Sequence, residues 1–105
     1  TRTGPDAVEE PEIVAEIPTE FQLFQNYPNP FNPATVIRYG LPQAAEVTLE
    51  VYSILGQRVR TLVEGRQTAG TYEVKLDGSS LASGVYIYRL RAGAYLQVRK
   101  MMLVK

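Results

Sequence analysis

No histidine, cysteine or tryptophan occurs among the 105 residues. Without histidine and cysteine there is no Ser-His-Asp or Cys-His nucleophilic machinery, no common zinc ligand set and no disulfide framework. Acid–base chemistry would rest on carboxylates, lysine and tyrosine alone. The carboxylates present sit mostly in the N-terminal leader or at outward-looking positions of alternating runs. The sequence therefore reads as non-catalytic, with no cofactor and no metal. It also lacks any run of about 18 apolar residues, so no transmembrane segment is expected. No signal segment with a basic start, apolar middle and small-residue end opens it. No stretch of ten or more residues carries a 3.6-residue period, which argues against helices.

What is present is a folded composition, 45% hydrophobic and 21% charged, with seven tyrosines. The length allows one domain with a modest core. A net charge of zero hides a division: residues 1–20 hold one Arg and six acids, net −5, while residues 21–105 hold ten bases and five acids, net +5. The body's cations are scattered in ones and twos, as in Arg58 and Arg60 or Arg89 and Arg91. That is the pattern of a solvated polar face, and no nucleic acid partner is expected.

Residues 1–19, "TRTGPDAVEEPEIVAEIPT", place Pro5, Pro11 and Pro18 among acids. Such a segment buries too little apolar surface to offset its ordering entropy and reads as a flexible acidic linker. Residues 20–105 form the second unit, a run of short alternating stretches. These are 20–26, 35–41, 46–53, 58–63, 71–77, 85–92 and 95–105, short alternating runs of the kind expected of half-buried strands, the last with an interruption. Gly56 in "ILGQ" is placed to supply the positive φ of a tight hairpin. "EGRQTAG" (64–70) reads as a turn, "GSSLASG" (78–84) as a loop anchored by Leu81, and Gly93 as the centre of the last hairpin. The alternation slips near Arg99–Met101, which predicts a bulge there. Seven short strands separated by turn signals predict an all-β fold, a seven-stranded antiparallel immunoglobulin-like β-sandwich behind the linker.

"NYPNPFNPATVIRYGLP" (26–42) is the most unusual stretch. Pro28, Pro30 and Pro33 fix φ, lack a backbone donor and keep Tyr27, Asn29 and Asn32 out of the α region. An extended, polyproline-like segment is expected, able to join a sheet only at an edge. Asn29 and Asn32 are suited to Asx turns, and Tyr27 and Phe31 to plugging the open end of the sandwich. A rigid lid that aims strand 35–39 into its sheet explains the stretch better than a ligand role for Pro30-Phe31-Asn32-Pro33, formally a P-x-x-P motif. "DGSS" (77–80) lacks the spaced acids of a calcium loop and reads as a turn. Tyr86, Tyr88 and Tyr95 would suit a sugar-binding face, though strand tyrosines more often pack in the core and rim.

Taken in order, "QNYPNPFNPATVIRYGLP" (25–42), "VTLEVYSILGQRVRTLVEGRQTAGTYEVKLD" (47–77), "LASGVYIYRL" (81–90) and "RKMMLVK" (99–105) resemble the C-terminal sorting domain, type A, of proteins exported by the type IX secretion system. The resemblance covers about residues 21–105. It implies an immunoglobulin-like sandwich without catalysis, carried behind a linker by an N-terminal passenger. Its implied partners are the outer-membrane type IX translocon and a sortase-like peptidase that cuts in the linker and joins the cargo to anionic lipopolysaccharide. The implied route is the periplasm in transit, then the cell surface or the extracellular space. The residues matching the family's sorting motifs are Pro28, Asn29, Pro30, Phe31, Asn32 and Pro33 in the opening motif. Gly84 and Tyr86 fall in its G-x-Y motif, and Lys100, Leu103, Val104 and Lys105 in its basic-apolar end. Ser53 stands where many members carry Asp, and Leu76 where many carry an aromatic. The immunoglobulin-like domain of the flagellar hook-capping protein is similar in its Gly-rich hairpins. A carbohydrate-binding or purely structural accessory module of a secreted enzyme is the alternative reading.

Overall fold

Alternation in sequence becomes a two-sided sheet when each strand turns its apolar row the same way. A computed structural model describes residues 12–15 and 17–105, the first four by their backbone. It contains β1 (Glu12–Ala15), β2 (Gln22–Leu23), β3 (Ala34–Leu41), β4 (Ala45–Ser53), β5 (Arg58–Gln67), β6 (Gly70–Asp77), β7 (Gly84–Ala92) and β8 (Tyr95–Leu103). Two antiparallel sheets pack face to face, one ordered β1-β6-β3-β2 and the other β5-β4-β7-β8. Among the described residues there is no helix. Strands β2–β8 are the seven expected. The short β1 lies within the leader and pairs with β6, Ile13 opposite Tyr72. The remainder of the expected linker, residues 1–11 and 16, lies outside the described residues.

The core is the meeting of the inward rows. Ile37, Tyr39 and Leu41 of β3 and Tyr72, Val74 and Leu76 of β6 face Val47, Leu49 and Val51 of β4 and Tyr88 and Leu90 of β7. Each is at most 5% exposed. Full burial of an aliphatic or Phe side chain contributes roughly 1.5–3 kcal/mol, so these rows dominate the stability of the sandwich. The chain changes sheets between β5 and β6 through Thr68 and Ala69 alone. Tyr72 pins that corner by donating its hydroxyl to Thr68 O at 2.8 Å, and it stacks on Tyr39 at 5.4 Å.

Two local expectations are corrected. "EGRQ" is not turn but the end of β5: Gly65 pairs with Val47 and Gln67 with Ala45. The bulge foreseen near Arg99–Met101 is absent, because β7 and β8 pair without a shift from Gly84↔Leu103 to Ala92↔Tyr95. Odd residues of β8 point inward, so its even apolar residues, Leu96, Val98 and Met102, face solvent; reading them as core residues creates the false slip. Register shifts occur instead between β1 and β6, at Ile13–Ala15, and between β4 and β5, where Val59 and Leu62 are skipped and Leu62 turns into the core beside Val63.

Candidate functional site

The proline stretch is organised from a buried amide. Asn26 is only 2% exposed, so each of its polar atoms needs a partner. Its backbone N–H donates to Tyr88 Oη at 2.8 Å, and Tyr88 in turn donates to Phe24 O at 2.8 Å. Asn26 Nδ2 donates to Pro28 O at 3.1 Å and to Thr35 Oγ1 at 3.0 Å, and Thr35 donates onward to Pro28 O at 2.9 Å. Gln25 Nε2 completes the set by donating to Asn26 Oδ1 at 2.7 Å. The side chains on either side of Pro28 thus hold its carbonyl, which fixes where the chain turns back towards β3. Burial pushes the Tyr88 phenol up to about 12.

From that anchor the chain runs along the outer edge of β8. Proline cannot donate to a ladder, so the bonding falls to the residues between prolines. Phe31 N–H donates to Met102 O at 2.9 Å, and Val104 N–H donates to Phe31 O at 3.0 Å. Phe31 thereby forms a parallel bridge with Leu103. Met102 N–H donates to Asn29 Oδ1 at 2.9 Å, and Gln25 Nε2 donates to Lys100 O at 2.7 Å. The Phe31 ring is 1% exposed and closes the end of the core against Gly78, whose N–H donates to Pro33 O at 2.7 Å. The stretch is therefore a brace that satisfies an edge strand which would otherwise invite association.

Several expectations change here. The segment is not an extended polyproline run: it bends at residues 28–30 and 32–33, and the Tyr27–Pro28, Asn29–Pro30 and Asn32–Pro33 bonds are cis. Asn29 does not close an Asx turn with its side-chain oxygen, because that oxygen is committed to Met102 across 73 residues. Phe31 is the plug foreseen, but Tyr27 is 80% exposed. With Phe31 in the core, Pro30-Phe31-Asn32-Pro33 is not presented as a P-x-x-P strip.

The G-x-Y motif reaches the same place. Gly84 opens β7 at φ 152°, a conformation that side-chain-bearing residues rarely adopt. Tyr86 folds back to donate its hydroxyl to Ala82 O at 2.6 Å, locking the loop into the strand as a tyrosine corner does. Gly84, Val85 and Tyr86 lie opposite Leu103, Met102 and Met101. Three segments far apart in sequence thus form one contiguous end of the sandwich. Phe31, Tyr86 and Leu103 are buried within it; Pro28, Asn29, Pro30, Asn32, Pro33, Lys100, Val104 and Lys105 are exposed on it. A shallow cleft of about 180 Å³, lined by Asn29, Val85, Lys100, Met101 and Met102, lies between the brace and the paired strands. Lys105 Nζ donates to Ser79 O at 2.7 Å, tying the last residue to the neighbouring loop.

The sugar-binding alternative loses its surface. Tyr86 is 7% exposed, Tyr88 0%, and Tyr95 stacks on Phe21 at 5.3 Å, so the three tyrosines form no stacking platform. In the "DGSS" turn, Asp77 Oδ1 accepts from Ser79 N–H at 2.9 Å, while Arg60 donates to Asp77 O at 3.3 Å. The Ser79 hydroxyl, which donates to the same oxygen, and after it the Ser79 N–H hold the Asp77 carboxyl below its usual value. On the outer face of the second sheet Glu50 gathers Tyr52 Oη at 2.7 Å, Arg89 at 2.8 Å and Arg58 at 3.1 Å. The Tyr52 hydroxyl first, and the two guanidiniums after it, hold the Glu50 carboxyl below its ordinary value. Among the described residues no three His, Cys, Asp or Glu side chains converge as metal ligands would.

Sequence reasoning did not single out Gln25, Asn26 and Thr35, nor the hydroxyl of Tyr88, as the groups that hold the brace. Asn26 lies within the motif, but only the fold brings it to Tyr88, 62 residues away. A family model described as a secretion system C-terminal sorting domain matches residues 25–105. No curated protein and no solved structure matches the chain.

Proposed function

Because the chain belongs to the family of type IX secretion C-terminal sorting domains, we propose that the braced end of the sandwich is the face its outer-membrane translocon reads. The family makes the chain an address that directs a parent passenger to the cell surface or the extracellular space. The observation that supports the face is the bonding of residues 29–31 to 102–104. That bonding makes the lead-in and the tail a single epitope, which exists only when the signal is folded. A translocon that reads it discriminates folded from unfolded signals without touching the cargo, and the domain needs no chemistry of its own.

The last strand contributes by strand addition along a restricted length. Edge-facing backbone groups of Lys100, Met102 and Val104 are occupied by Gln25, Asn29 and Phe31. The same parity places the backbone of Leu96 and Val98 on the open edge, where no described residue pairs with it. Their side chains are 51% and 50% exposed. A receptor strand adds here, with main-chain bonds giving affinity and the apolar row giving register. The passenger transits the periplasm, and the acidic leader serves as the segment where a peptidase cuts and joins the cargo to the surface.

The test fuses the full chain behind a folded reporter and compares strains with and without the translocon. Surface delivery only where the translocon is present is the expected result; delivery in both, or in neither, refutes the reading. Deleting residues 101–105 abolishes export while the reporter still folds in the periplasm, but that deletion also strips Met101 and Leu103 from the core. Val98→Asp, at an exposed edge position, separates recognition from folding: it lowers delivery with thermal stability retained.

A further inference from the structure

The hairpin joining β4 to β5, Ser53-Ile54-Leu55-Gly56-Gln57, ends in two aliphatic side chains that no described residue covers. Leu55 is 91% exposed and Ile54 67%. Single exposed apolar residues are ordinary. These two are adjacent and sit at the tip of a turn that requires a left-handed residue, Gly56 at φ 89°, but no aliphatic ones. The tip is also pre-ordered. Gly56 N–H donates to Ser53 O at 2.9 Å and Ser53 N–H to Gln57 O at 2.8 Å. Ser53 Oγ accepts from the N–H groups of Leu55 and Gln57, both at 3.3 Å. A partner that buried this tip would have little chain entropy to remove.

Position adds a second, independent observation. Ser53 pairs with Tyr86, and Tyr86 with Met101. The tip therefore projects from the same end of the sandwich as the brace, the G-x-Y motif and the tail. One partner can grasp both.

From these observations we infer that Ile54 and Leu55 are an anchor that seats in an apolar pocket on a protein of the secretion machinery, an inference that rests on the sorting reading above. A lipid surface fits less well. Interfacial binding combines broad apolar area with unpaired cations, and the two arginines following the tip are engaged within the chain. Arg58 is paired with Glu50 at 3.1 Å, and Arg60 donates to Asp77 O and Ser80 Oγ. A narrow aliphatic tip on a rigid turn matches a pocket, in which a few buried anchors carry most of the binding.

The experiment measures binding of the full chain to the purified outer-membrane secretion complex, alongside reporter delivery, for the unmodified chain, Leu55→Asp, Ile54→Ser and Leu55→Met. The two polar variants keep their thermal midpoints, since both side chains lie in solvent. They lose about tenfold or more in binding and fall correspondingly in delivery, while Leu55→Met keeps both. If the polar variants bind and deliver like the unmodified chain, the anchor is wrong and the sorting reading stands. If the unmodified chain neither binds nor delivers, both are wrong. Vesicles of phosphatidylethanolamine and phosphatidylglycerol are the control; binding to them that Leu55→Asp removes overturns the protein pocket in favour of lipid.

Discussion

Replacing Phe31 by Ala tests whether the proline stretch is a structural brace. The ring is 1% exposed and lies against Gly78, with Leu103 opposite it in the bridge to β8. Truncating a buried Phe to Ala costs about 3–5 kcal/mol, because the cavity left behind collapses only in part. A domain of this size has about 5–15 kcal/mol in total, so one side chain in a supposed lead-in carries a large share. At about 4–8 °C per kcal/mol, the thermal midpoint falls by about 12–40 °C. Urea unfolding gives the free energy, and amide exchange locates it: the N–H groups of Met102 and Val104, held by Asn29 Oδ1 and Phe31 O, exchange faster. Tyr27→Ala, in the same motif at 80% exposure, is the internal control and changes stability by no more than about 0.5 kcal/mol. A loss below about 1 kcal/mol for Phe31→Ala, or one as large for Tyr27→Ala, refutes the brace.

The remaining predictions concern packing and charge. Gly78→Ala lowers the urea midpoint, because an added Cβ would meet Phe31 Cε2 and Pro33 O at 3.1 Å and Leu103 Cδ2 at 3.2 Å; overpacking of this kind costs about 1–3 kcal/mol. The Glu50 carboxyl is held below its ordinary value of 4.5 in the folded state. Its contribution is therefore complete above that value and is lost as pH falls through the folded one; urea midpoints across the acid range show this, and Glu50→Gln flattens the slope. Tyr88 is pushed up to about 12 and Tyr39 is also raised by burial, both from 10.0. Their stabilisation is complete below pH 10.0 and lost as pH rises towards 12, so chemical unfolding monitored with phenolate absorbance shows ionisation coinciding with unfolding.

How much of the molecule was legible depended on how local the signal was. The strands β3, β4, β6 and β7 follow directly from alternation, since a period of two can be satisfied only by a sheet with one covered face. β8 was legible as a strand but not in its faces, because its exposed row is apolar and composition could not say which side was inward. The β5 bulge was invisible because Leu62 turns inward only in response to its pairing with β4. In the candidate site, the motif residues could be named from the chain, but not their sides: Phe31 and Tyr27 are both aromatics between prolines, and one is in the core while the other is in solvent.

The amino-acid sequence alone determined the all-strand class, the stiffness of residues 28–33 and the absence of histidine and cysteine chemistry. Each depends on residue types and spacings a few positions apart. Only the tertiary structure decided that Asn29 caps Met102, that Asn26 is held by Tyr88, and that the lead-in, the G-x-Y motif, the tail and the Ile54–Leu55 tip share one end of the sandwich. Those relations are set by strand order and register between residues up to 75 positions apart. No local pattern encodes which edge a proline segment will cover, because the choice is made by the edge left unpaired once the sheets have formed.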